Sequence, residues 1–437
     1  MFADRRKRFL ESMGPGAVAL IQGAGLATRS NDTEYRFRQD SDFHYLTGFD
    51  HPNAVAVLRT DGGPAYTLFV EPRDPEMETW NGYRPGTDGA VADYGADEAH
   101  PAASLGERLP DLLAGAERLF HVLGRDAALD ARIADVREQM RRGSRSGTVP
   151  PEEIIDPRRV LHEMRLFKSP EEVEILCRAA EITLEAHHEA AKRSHGGRME
   201  YEIEAVLDYV FRRRGSSGPA YGSIVGGGAN ATVLHYVRND QPLVDGELLL
   251  IDAGCELEGY ASDVTRTYPI GGTFSPIQRE VYDIVLEAQL ASIAAVKLGG
   301  TLPEVHAASV RTLTRGLIDL GLLSTSLDEA IEKETYRKYY MHGTSHWIGL
   351  DVHDAGVYTR DGQPRHLEAG MVFSVEPGLY IPADDEDAKP GLCGIGVRIE
   401  DDIVVTDEGA VNLTEAIPKQ ATALEAWVRE GLEDPKH

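Results

Sequence analysis

The spacing of apolar residues changes near residue 150, and the change predicts two domains. Residues 142–151 are rich in Gly, Ser, Pro and Arg and carry no apolar periodicity, which is typical of a linker. A chain of 437 residues has room for two or three domains of about 150 residues. We therefore predict one domain over residues 1–150 and a second over residues 151–437.

Strand-like and helical patterns alternate in the first domain. Residues 54–59 and 66–70 have the apolar character of strands, and residues 128–141 have helical spacing. This alternation predicts an α/β domain. Residues 81–93 are rich in Gly, Pro and Asp, which predicts a long loop. The basic N-terminus is followed by an apolar run too short for a signal sequence, so we predict a short amphipathic helix that ends at Gly14.

The order helix, helix, strands occurs twice in the second domain. Ser169 and Ser275 each precede a proline and stand three positions before Glu172 and Gln278, the pattern of a capping box that opens a helix. A second helix follows each of these, and then come strand-like runs at 222–225, 247–253, 263–270, 371–375 and 397–405. The repetition predicts two similar halves in one α+β domain.

Composition excludes several classes of protein. Apolar residues make up 42% and charged residues 27%, as in an ordinary globular chain. Lys and Arg number 45 against 72 Asp and Glu, a net charge of −27, which argues against a nucleic-acid partner. No run reaches the roughly 18–20 apolar residues that span a bilayer, so we expect no membrane partner. Three scattered cysteines exclude a disulfide framework and suit a reducing compartment, so we expect a cytoplasmic protein.

Two carboxylates stand at the ends of apolar strands. Asp252 ends the run 248–252, and Asp263 begins the next run. The intervening residues 254–259 can form a hairpin turn that brings the carboxylates together, where they repel unless a cation lies between them. In the alternative interpretation, Asp252 caps a turn and Asp263 pairs with Arg266.

Three histidines fall within twelve residues, at 342, 346 and 353. His342 and His346 have the i, i+4 spacing of a helical zinc motif, but Gly343 stands where that motif has Glu, and a second glycine follows, which argues against a helix. A cluster of structural histidines is the alternative. The adjacent pair His187 and His188 lies in a polar helix, and we predict that both are at the surface.

Two further carboxylates complete a candidate set of metal ligands. Glu376 ends an apolar strand before a Pro-Gly turn, and Glu400 shares a strand face with Arg398 because side chains alternate along a strand. Each alone fits an ordinary surface or ion-paired residue. Together, four carboxylates carry −4 and two divalent cations carry +4. Oxygen-rich ligation with one imidazole favours Mn²⁺, with Co²⁺, Fe²⁺ or Zn²⁺ also possible, and two such ions support hydrolysis.

Five segments resemble those of the pita-bread metallopeptidases, and most of all the Xaa-Pro aminopeptidase branch: I-D-A-G (251–254), S-D-V-T-R-T (262–267), H-G-T-S-H-W-I-G-L-D-V-H-D (342–354), V-E-P-G-L-Y (375–380) and V-R-I-E-D-D (397–402). H-E-M-R-L-F-K-S-P-E-E (162–172) and S-D-F-H-Y-L-T-G-F (41–49) resemble the same branch, apart from His44, where an aromatic is more usual. The resemblance covers about residues 9–420. It implies a C-terminal pita-bread domain preceded by a smaller α/β creatinase-like domain.

The resemblance also implies roles for particular residues. It assigns two divalent metal ions to Asp252, Asp263, His346, Glu376 and Glu400, with Asp263 and Glu400 bridging. Glu376 would also act as general base towards the attacking water. His353 would hydrogen-bond the substrate at the scissile carbonyl and stabilise the oxyanion. The pocket for the proline after the scissile bond would be lined by His235, His342, Tyr380 and Arg398.

The activity that this family implies is metal-dependent hydrolysis of the N-terminal Xaa-Pro bond of peptides with proline in second place. Prolidase, which accepts only Xaa-Pro dipeptides, is the alternative; it more often has Gly where Ser345 precedes His346. A catalytically inactive binding module typically loses ligands, and all five are present. The family also implies a homodimer or homotetramer. Trp80 loosely matches a tryptophan that closes a neighbouring active site in tetrameric members.

Overall fold

The computed structural model describes residues 1–143 and 149–433, and the contacts divide the chain into two units, Met1–Arg165 and Leu166–His437. The boundary predicted at residue 150 stays a prediction, and residues 144–148 of the predicted linker lie outside the described residues. Within the described residues, no helix is long and apolar enough to cross a membrane. All three cysteines are free, as their spacing predicts.

The first unit is a mixed sheet with helices, which confirms the predicted α/β character. Its helices are α1 (Phe2–Met13), α2 (Ser41–Thr47), α3 (Pro75–Asn81), α4 (Gly86–Ala92), α5 (Leu105–Leu113), α6 (Ala127–Arg142) and α7 (Arg158–Leu166), the last of which passes the division by one residue. Its strands are β1 (Ala17–Gln22), β2 (Thr28–Ser30), β3 (Thr33–Glu34), β4 (Val55–Arg59), β5 (Tyr66–Val70), β6 (Glu98–Pro101), β7 (Arg118–His121) and β8 (Glu153–Ile155).

Six of these strands form one sheet in the order β6-β5-β4-β1-β7-β8. The central strand β1 pairs antiparallel with β4 and parallel with β7. Val18 and Leu20 of β1 pack with Leu109 of α5 and with Ile133 and Val136 of α6, all of them buried. The helical spacing of α6 therefore reflects the face that it buries against the sheet.

The prediction of a loop over residues 81–93 is wrong, because α4 occupies most of that segment. Gly89 and Ala90 of this short helix are buried, and α4 contacts β5 and β6. Glycine lowers helix propensity, but packing against the sheet overrides propensity here. The predicted N-terminal helix is confirmed as α1, and it ends at Gly14, whose φ of 70° suits glycine.

The second unit has the helices α8 (Pro170–Ala191), α9 (Glu200–Arg213), α10 (Pro276–Ala295), α11 (Leu302–Asp319), α12 (Leu327–Glu332) and α13 (Ala421–Glu433). Its strands are β9 (Gly218–Pro219), β10 (Ile224–Gly227), β11 (Leu248–Asp252), β12 (Cys255–Leu257), β13 (Tyr260–Ala261), β14 (Thr265–Pro269), β15 (Thr359–Arg360), β16 (Gln363–Pro364), β17 (Val372–Val375), β18 (Gly378–Tyr380), β19 (Gly396–Arg398), β20 (Asp401–Thr406) and β21 (Gly409–Asn412).

The second unit repeats one arrangement, as the sequence predicts. Helices α8 and α9 pack together and precede the antiparallel sheet β10-β11-β14, while α10 and α11 pack together and precede the antiparallel sheet β17-β20-β21. Ser169 and Ser275 both form the predicted capping boxes, with Glu172 and Gln278. This is the predicted α+β domain with two similar halves.

The run predicted as one strand over residues 397–405 is two strands. β19 pairs with β18, whereas β20 pairs with β17, so the chain changes partner between Arg398 and Asp401. The main-chain N–H of Glu400 donates at the change of partner to Thr265 O of β14, 3.1 Å away. Arg398 and Glu400 consequently do not share a continuous strand.

The prediction that His187 lies at the surface is wrong. Helix α8 places this residue against the sheet β10-β11-β14, where its exposed fraction is 0%. Its Nδ1 lies 3.0 Å from the Tyr268 hydroxyl and its Nε2 lies 3.0 Å from Ala253 O, so a neutral ring with its proton on Nε2 satisfies both contacts. Burial lowers the pKa of His187 to about 4. His188 is one-third exposed, beside Glu430.

Acid should therefore destabilise the second unit through His187. A histidine in the unfolded chain has a pKa near 6.5, so below that pH it binds a proton. The buried His187 ring stays neutral until about pH 4, and the free energy of unfolding therefore falls as the pH falls from 6.5 towards 4. Between pH 7 and pH 5 we expect this residue to account for about 2 kcal/mol of lost stability. In urea unfolding, His187→Gln should lose less unfolding free energy between pH 7 and pH 5 than the wild type does. The neighbouring control His188→Gln should keep the wild-type loss, and an unchanged slope in His187→Gln would contradict the account.

Candidate metal centre

The first half contributes two carboxylates, one at the end of β11 and one just before its antiparallel neighbour β14, which begins two residues later than predicted. Asp252 is the last residue of β11 and is paired with Thr265 of β14, and Asp263 stands two residues before Thr265. Strands β12 and β13 form the turn between them, as the predicted hairpin requires. The Tyr221 hydroxyl donates to Asp252 Oδ1 at 2.7 Å and also contacts Asp263 Oδ1. The two carboxylates therefore lie side by side and are joined by one phenol.

The second half contributes the two glutamates and the imidazole. Glu376 follows β17 directly, and Glu400 directly precedes β20, its antiparallel partner. Ser374 of β17 receives a hydrogen bond at its Oγ from the His346 N–H and donates its own N–H to His346 O. Residues around His346 thus run beside β17 and form no helix, as the glycine at 343 predicts.

The His346 imidazole faces three carboxylates. Its Nε2 lies 3.3 Å from Asp263 Oδ2, 3.4 Å from Glu376 Oε1 and 3.9 Å from Glu400 Oε1. Asp263, His346 and Glu400 each offer a ligand atom, and these atoms lie within 4.8 Å of one another. His346 Nδ1 lies 3.2 Å from Trp347 O, so a proton on Nδ1 leaves Nε2 free for a ligand.

The electrostatics of this group favour added positive charge, whether it comes from protons or from a cation. Burial raises the pKa of Glu400 well above its usual range, and the charges of Asp263 and Glu376 raise it further. Burial also raises the pKa of Glu376 to about 7 and raises that of Asp252. Burial opposes protonation of His346, but Asp263 and Glu376 outweigh it and raise its pKa to about 9. The donor set, oxygen-rich with one imidazole, fits a divalent cation.

Asp252 is tied into a second chain of polar groups. Arg398 donates through Nη2 to Asp252 Oδ2 at 2.7 Å and through Nη1 to the Tyr380 hydroxyl at 3.0 Å. Burial raises the pKa of Tyr380 to about 12, so this hydroxyl keeps its proton, and it lies 2.8 Å from His342 Nε2. His342 Nδ1 lies 2.7 Å from Gly343 O, and burial lowers the pKa of His342 to about 4. This series of hydrogen bonds runs from the Arg398 guanidinium to the neutral imidazole of His342.

A cavity of about 460 Å³ opens onto both groups. Its lining includes His235 and His353, together with Ile224, Leu234 and Val237 on its apolar side. The His353 ring lies edge-on to that of His346, with centroids 4.4 Å apart. Nine of the ten predicted ligand and pocket residues thus line one cavity, and the tenth, Tyr380, lies behind its wall and contacts His342 and Arg398. Trp80 lies in the first unit.

The alternative pairing of Asp263 with Arg266 is wrong. Arg266 is fully buried and pairs with Asp401 Oδ1 at 2.7 Å, while its Nη1 donates to Glu400 O at 2.6 Å. Asp252 does not cap a turn either, since its carboxylate is bound by Arg398. The alternative roles that the sequence left open for these two aspartates are therefore both wrong.

Three residues at the site carry no sequence signal of their role. Tyr221 stands alone in a Gly-rich stretch, and only the fold brings it to the aspartates. Lys168 and Asp354 lie in segments that carry the family resemblance, but their partnership is not readable from sequence. Both side chains are 1% exposed, and they form an ion pair of 2.9 Å. The Asp354 N–H donates to Trp347 O at 2.9 Å, which closes the loop that carries His346 and His353.

Family models match both parts of the chain. Residues 2–121 match the aminopeptidase P N-terminal domain, and residues 174–407 match metallopeptidase family M24. The chain belongs to metallopeptidase family M24. The second unit is thus the M24 pita-bread domain, and the predicted α/β domain before it is that of aminopeptidase P.

Three relatives show how far the similarity of this M24 chain extends. The Xaa-Pro aminopeptidase of Escherichia coli is 46% identical over 427 residues, which cover 97% of this chain and 96% of that protein. The structure of Pseudomonas aeruginosa aminopeptidase PepP matches with a TM-score of 0.97 at 44% identity, over 99% of this chain and 98% of that one. A zinc-substituted E. coli aminopeptidase P in complex with product matches with a TM-score of 0.95 at 45% identity, over the same shares.

The Tyr221 hydroxyl should contribute to metal affinity, because it orients two candidate ligands. We expect Tyr221→Phe to bind Mn²⁺ about 10- to 100-fold more weakly than the wild type, the usual effect of losing a partner that orients a ligand. Calorimetric titration of the metal-free proteins measures this directly. Tyr201→Phe, at an exposed position of α9, is the matched control. Equal affinities in wild type and Tyr221→Phe would contradict the role.

Proposed function

We propose that this chain is a metal-dependent aminopeptidase that hydrolyses the bond between an N-terminal residue and a proline in second place. The observation that carries the proposal is one cavity in which a group of metal-ligand atoms adjoins a wall of His, Tyr and Arg side chains. The Xaa-Pro aminopeptidases of E. coli and Haemophilus influenzae, at 46% and 43% identity over 97% of this chain, support it.

Two divalent ions are the proposed cofactor, with Mn²⁺ as the native metal and Co²⁺, Fe²⁺ or Zn²⁺ as alternatives. The residues that would hold them are Asp252, Asp263, His346, Glu376 and Glu400. Four carboxylates and two divalent ions balance in charge, which supports the count of two. When bound, such ions polarise the scissile carbonyl and activate water.

Glu376 takes the role of general base. Its carboxylate lies in the cavity, with Oε1 3.3 Å from the Ser374 hydroxyl and 3.4 Å from His346 Nε2. The carboxylate accepts a proton from the attacking water and returns it to the departing proline nitrogen. A proline nitrogen carries no N–H in the peptide, so this delivered proton is the one that completes the leaving amine.

His353 stabilises charge on the scissile carbonyl oxygen. It lines the cavity beside His346, where a ring N–H can donate to an oxygen that gains negative charge as water adds. His235, His342 and Arg398 line the proposed pocket for the proline ring, and Tyr380 completes its wall from behind. Because the hydrogen bonds from Arg398 through Tyr380 fix His342, this wall is rigid and suits a rigid ring.

Prolidase is the alternative activity, and the full-length similarity to Xaa-Pro aminopeptidases favours the main proposal over it. Cleavage of Xaa-Pro-Pro as well as Xaa-Pro separates the two, because a prolidase accepts only the dipeptide. A catalytically inactive binding module is disfavoured by the presence of all five ligands around one cavity.

Assembly and location complete the proposal. A homodimer or homotetramer is the proposed state, and Trp80 of α3, whose exposed fraction is 81%, is the proposed contribution to a neighbouring active site. The cytoplasm is the proposed location, which free cysteines suit. With a net charge of −27, we expect neither nucleic acid nor a membrane among the partners.

Replacing the base should abolish turnover. We expect Glu376→Gln to lower kcat by at least about 10³-fold, because a general base contributes roughly 10²–10⁴ and a ligand is lost as well. The half-exposed Glu368, eight residues earlier, gives the control Glu368→Gln, which should keep wild-type kcat. Steady-state assays with elemental analysis decide the matter. Near-normal turnover in Glu376→Gln with its metal intact would refute the role.

Proline in second place should be required. A pocket built for a proline nitrogen need not accept a hydrogen bond, so Xaa-Ala-Gly would bury an unpaired N–H at about 1–3 kcal/mol. We therefore expect Xaa-Pro-Gly to exceed Xaa-Ala-Gly in kcat/KM by roughly 5- to 150-fold, before any loss of ring packing. Both peptides are assayed at one pH with one metal. Equal values would make the enzyme a general aminopeptidase and leave the metal centre standing.

A further inference from the structure

One wall of the cavity is a segment that its main chain holds only weakly. Residues 227–241 leave the end of β10, pass through a 3₁₀ turn at Gly228–Thr232 and carry His235 and Val237 past the cavity. Apart from the turn at Leu234 and His235, main-chain groups of residues 234–240 form no hydrogen bond with other described main-chain groups. Side chains must therefore fix the position of this wall.

One carboxylate accepts hydrogen bonds from both ends of that segment. Glu200, the first residue of α9, has an exposed fraction of 0%. Its Oε1 accepts from the Gly227 N–H at 2.8 Å and from Asn230 Nδ2 at 2.9 Å. Its Oε2 accepts from the Tyr236 hydroxyl at 2.7 Å and from the Gln241 N–H at 2.9 Å. Four donors from one loop thus converge on one buried anion.

The bond to Tyr236 sets the direction of its neighbours. His235 and Val237 flank Tyr236 and both line the cavity, whereas Tyr236 does not, so holding the tyrosine on Glu200 fixes the positions of its two neighbours at the cavity wall. Asn230 Nδ2 also donates to the Tyr236 hydroxyl, at 3.1 Å, which closes the network. The far end is held separately by Asn239, which bonds Val225 N and Ser223 O.

We propose that Glu200 is a positioning residue for substrate binding: its carboxylate holds residues 227–241 so that His235 and Val237 face the peptide. The inference rests on the proposed function, because it takes the substrate to lie against His235. Glu200 lines no part of the cavity and bonds none of the five candidate ligands. Its effect therefore falls on substrate affinity and not on the chemical step.

Glu200→Gln tests the proposal with little change of shape. The amide nitrogen has to face two of the four donors, which the loop can relieve only by moving. We expect KM for Xaa-Pro-Gly to rise about tenfold with kcat within about threefold of the wild type and with unchanged metal content. Binding of the product dipeptide Pro-Gly, measured by calorimetry, should weaken by the same factor. Glu202→Gln, two positions along at a partly exposed site of α9, is the control and should behave as the wild type.

Tyr236→Phe is the second variant, because it removes one of the four hydrogen bonds and leaves the carboxylate with three. We expect a KM increase of about threefold, and this variant decides the question if Glu200→Gln does not fold. Wild-type KM and Pro-Gly affinity in these variants would overturn the proposal. So would a joint fall of kcat and metal content at constant KM, since Glu200 would then act through the metal centre. The kcat/KM values of the wild type for Xaa-Pro-Gly and Xaa-Ala-Gly test the proline preference. The ratio of variant to wild-type KM tests the role of Glu200, so either proposal can fail without the other.

Discussion

Four carboxylates buried around one imidazole repel one another, and much of the second unit serves to hold them together. Burial raises the pKa values of Glu400, Glu376 and Asp252, whereas the pKa of Asp263 is lowered because His346 outweighs burial there. Charges this close interact strongly in a low-dielectric site, so without cations the carboxylates take up protons more readily than they would in water. The arrangement is poor for stability and well suited to binding cations.

The two halves of the second unit meet at this group of carboxylates, and each half supplies two of them. Thr265 of β14 joins them, since its main-chain oxygen accepts from the Glu400 N–H and its hydroxyl donates to Glu400 Oε2 at 2.6 Å. Arg266 adds a fully buried ion pair with Asp401 of β20. Breaking a buried ion pair typically costs about 3–5 kcal/mol, so the halves are firmly locked at the ligands. The site therefore exists only when both halves are folded and packed.

Sequence predicted the parts of this site that local pattern determines. The apolar runs before Asp252 and Glu376 predict a carboxylate at the end of a strand. The capping boxes predict where the helices begin. Tyr221 and Glu200 escaped prediction because their roles depend on partners 31 to 42 and 27 to 41 residues away. His187 was misjudged for a related reason: a polar helix sequence does not say which turn of a long helix meets a sheet. The helix within residues 81–93 likewise depends on packing that composition does not reveal.

The most direct test of the account compares metal-free and metal-loaded stability in Glu400→Gln, which removes one repelling charge and keeps the shape. The account predicts that the metal-free variant has a higher Tm than the metal-free wild type, and that Mn²⁺ raises the Tm of the wild type by more than that of the variant. Glu368→Gln serves as the surface control and should follow the wild type. A metal-free Glu400→Gln that melts below the wild type, or an equal gain from Mn²⁺ in both, would contradict the claim that carboxylate repulsion shapes this site.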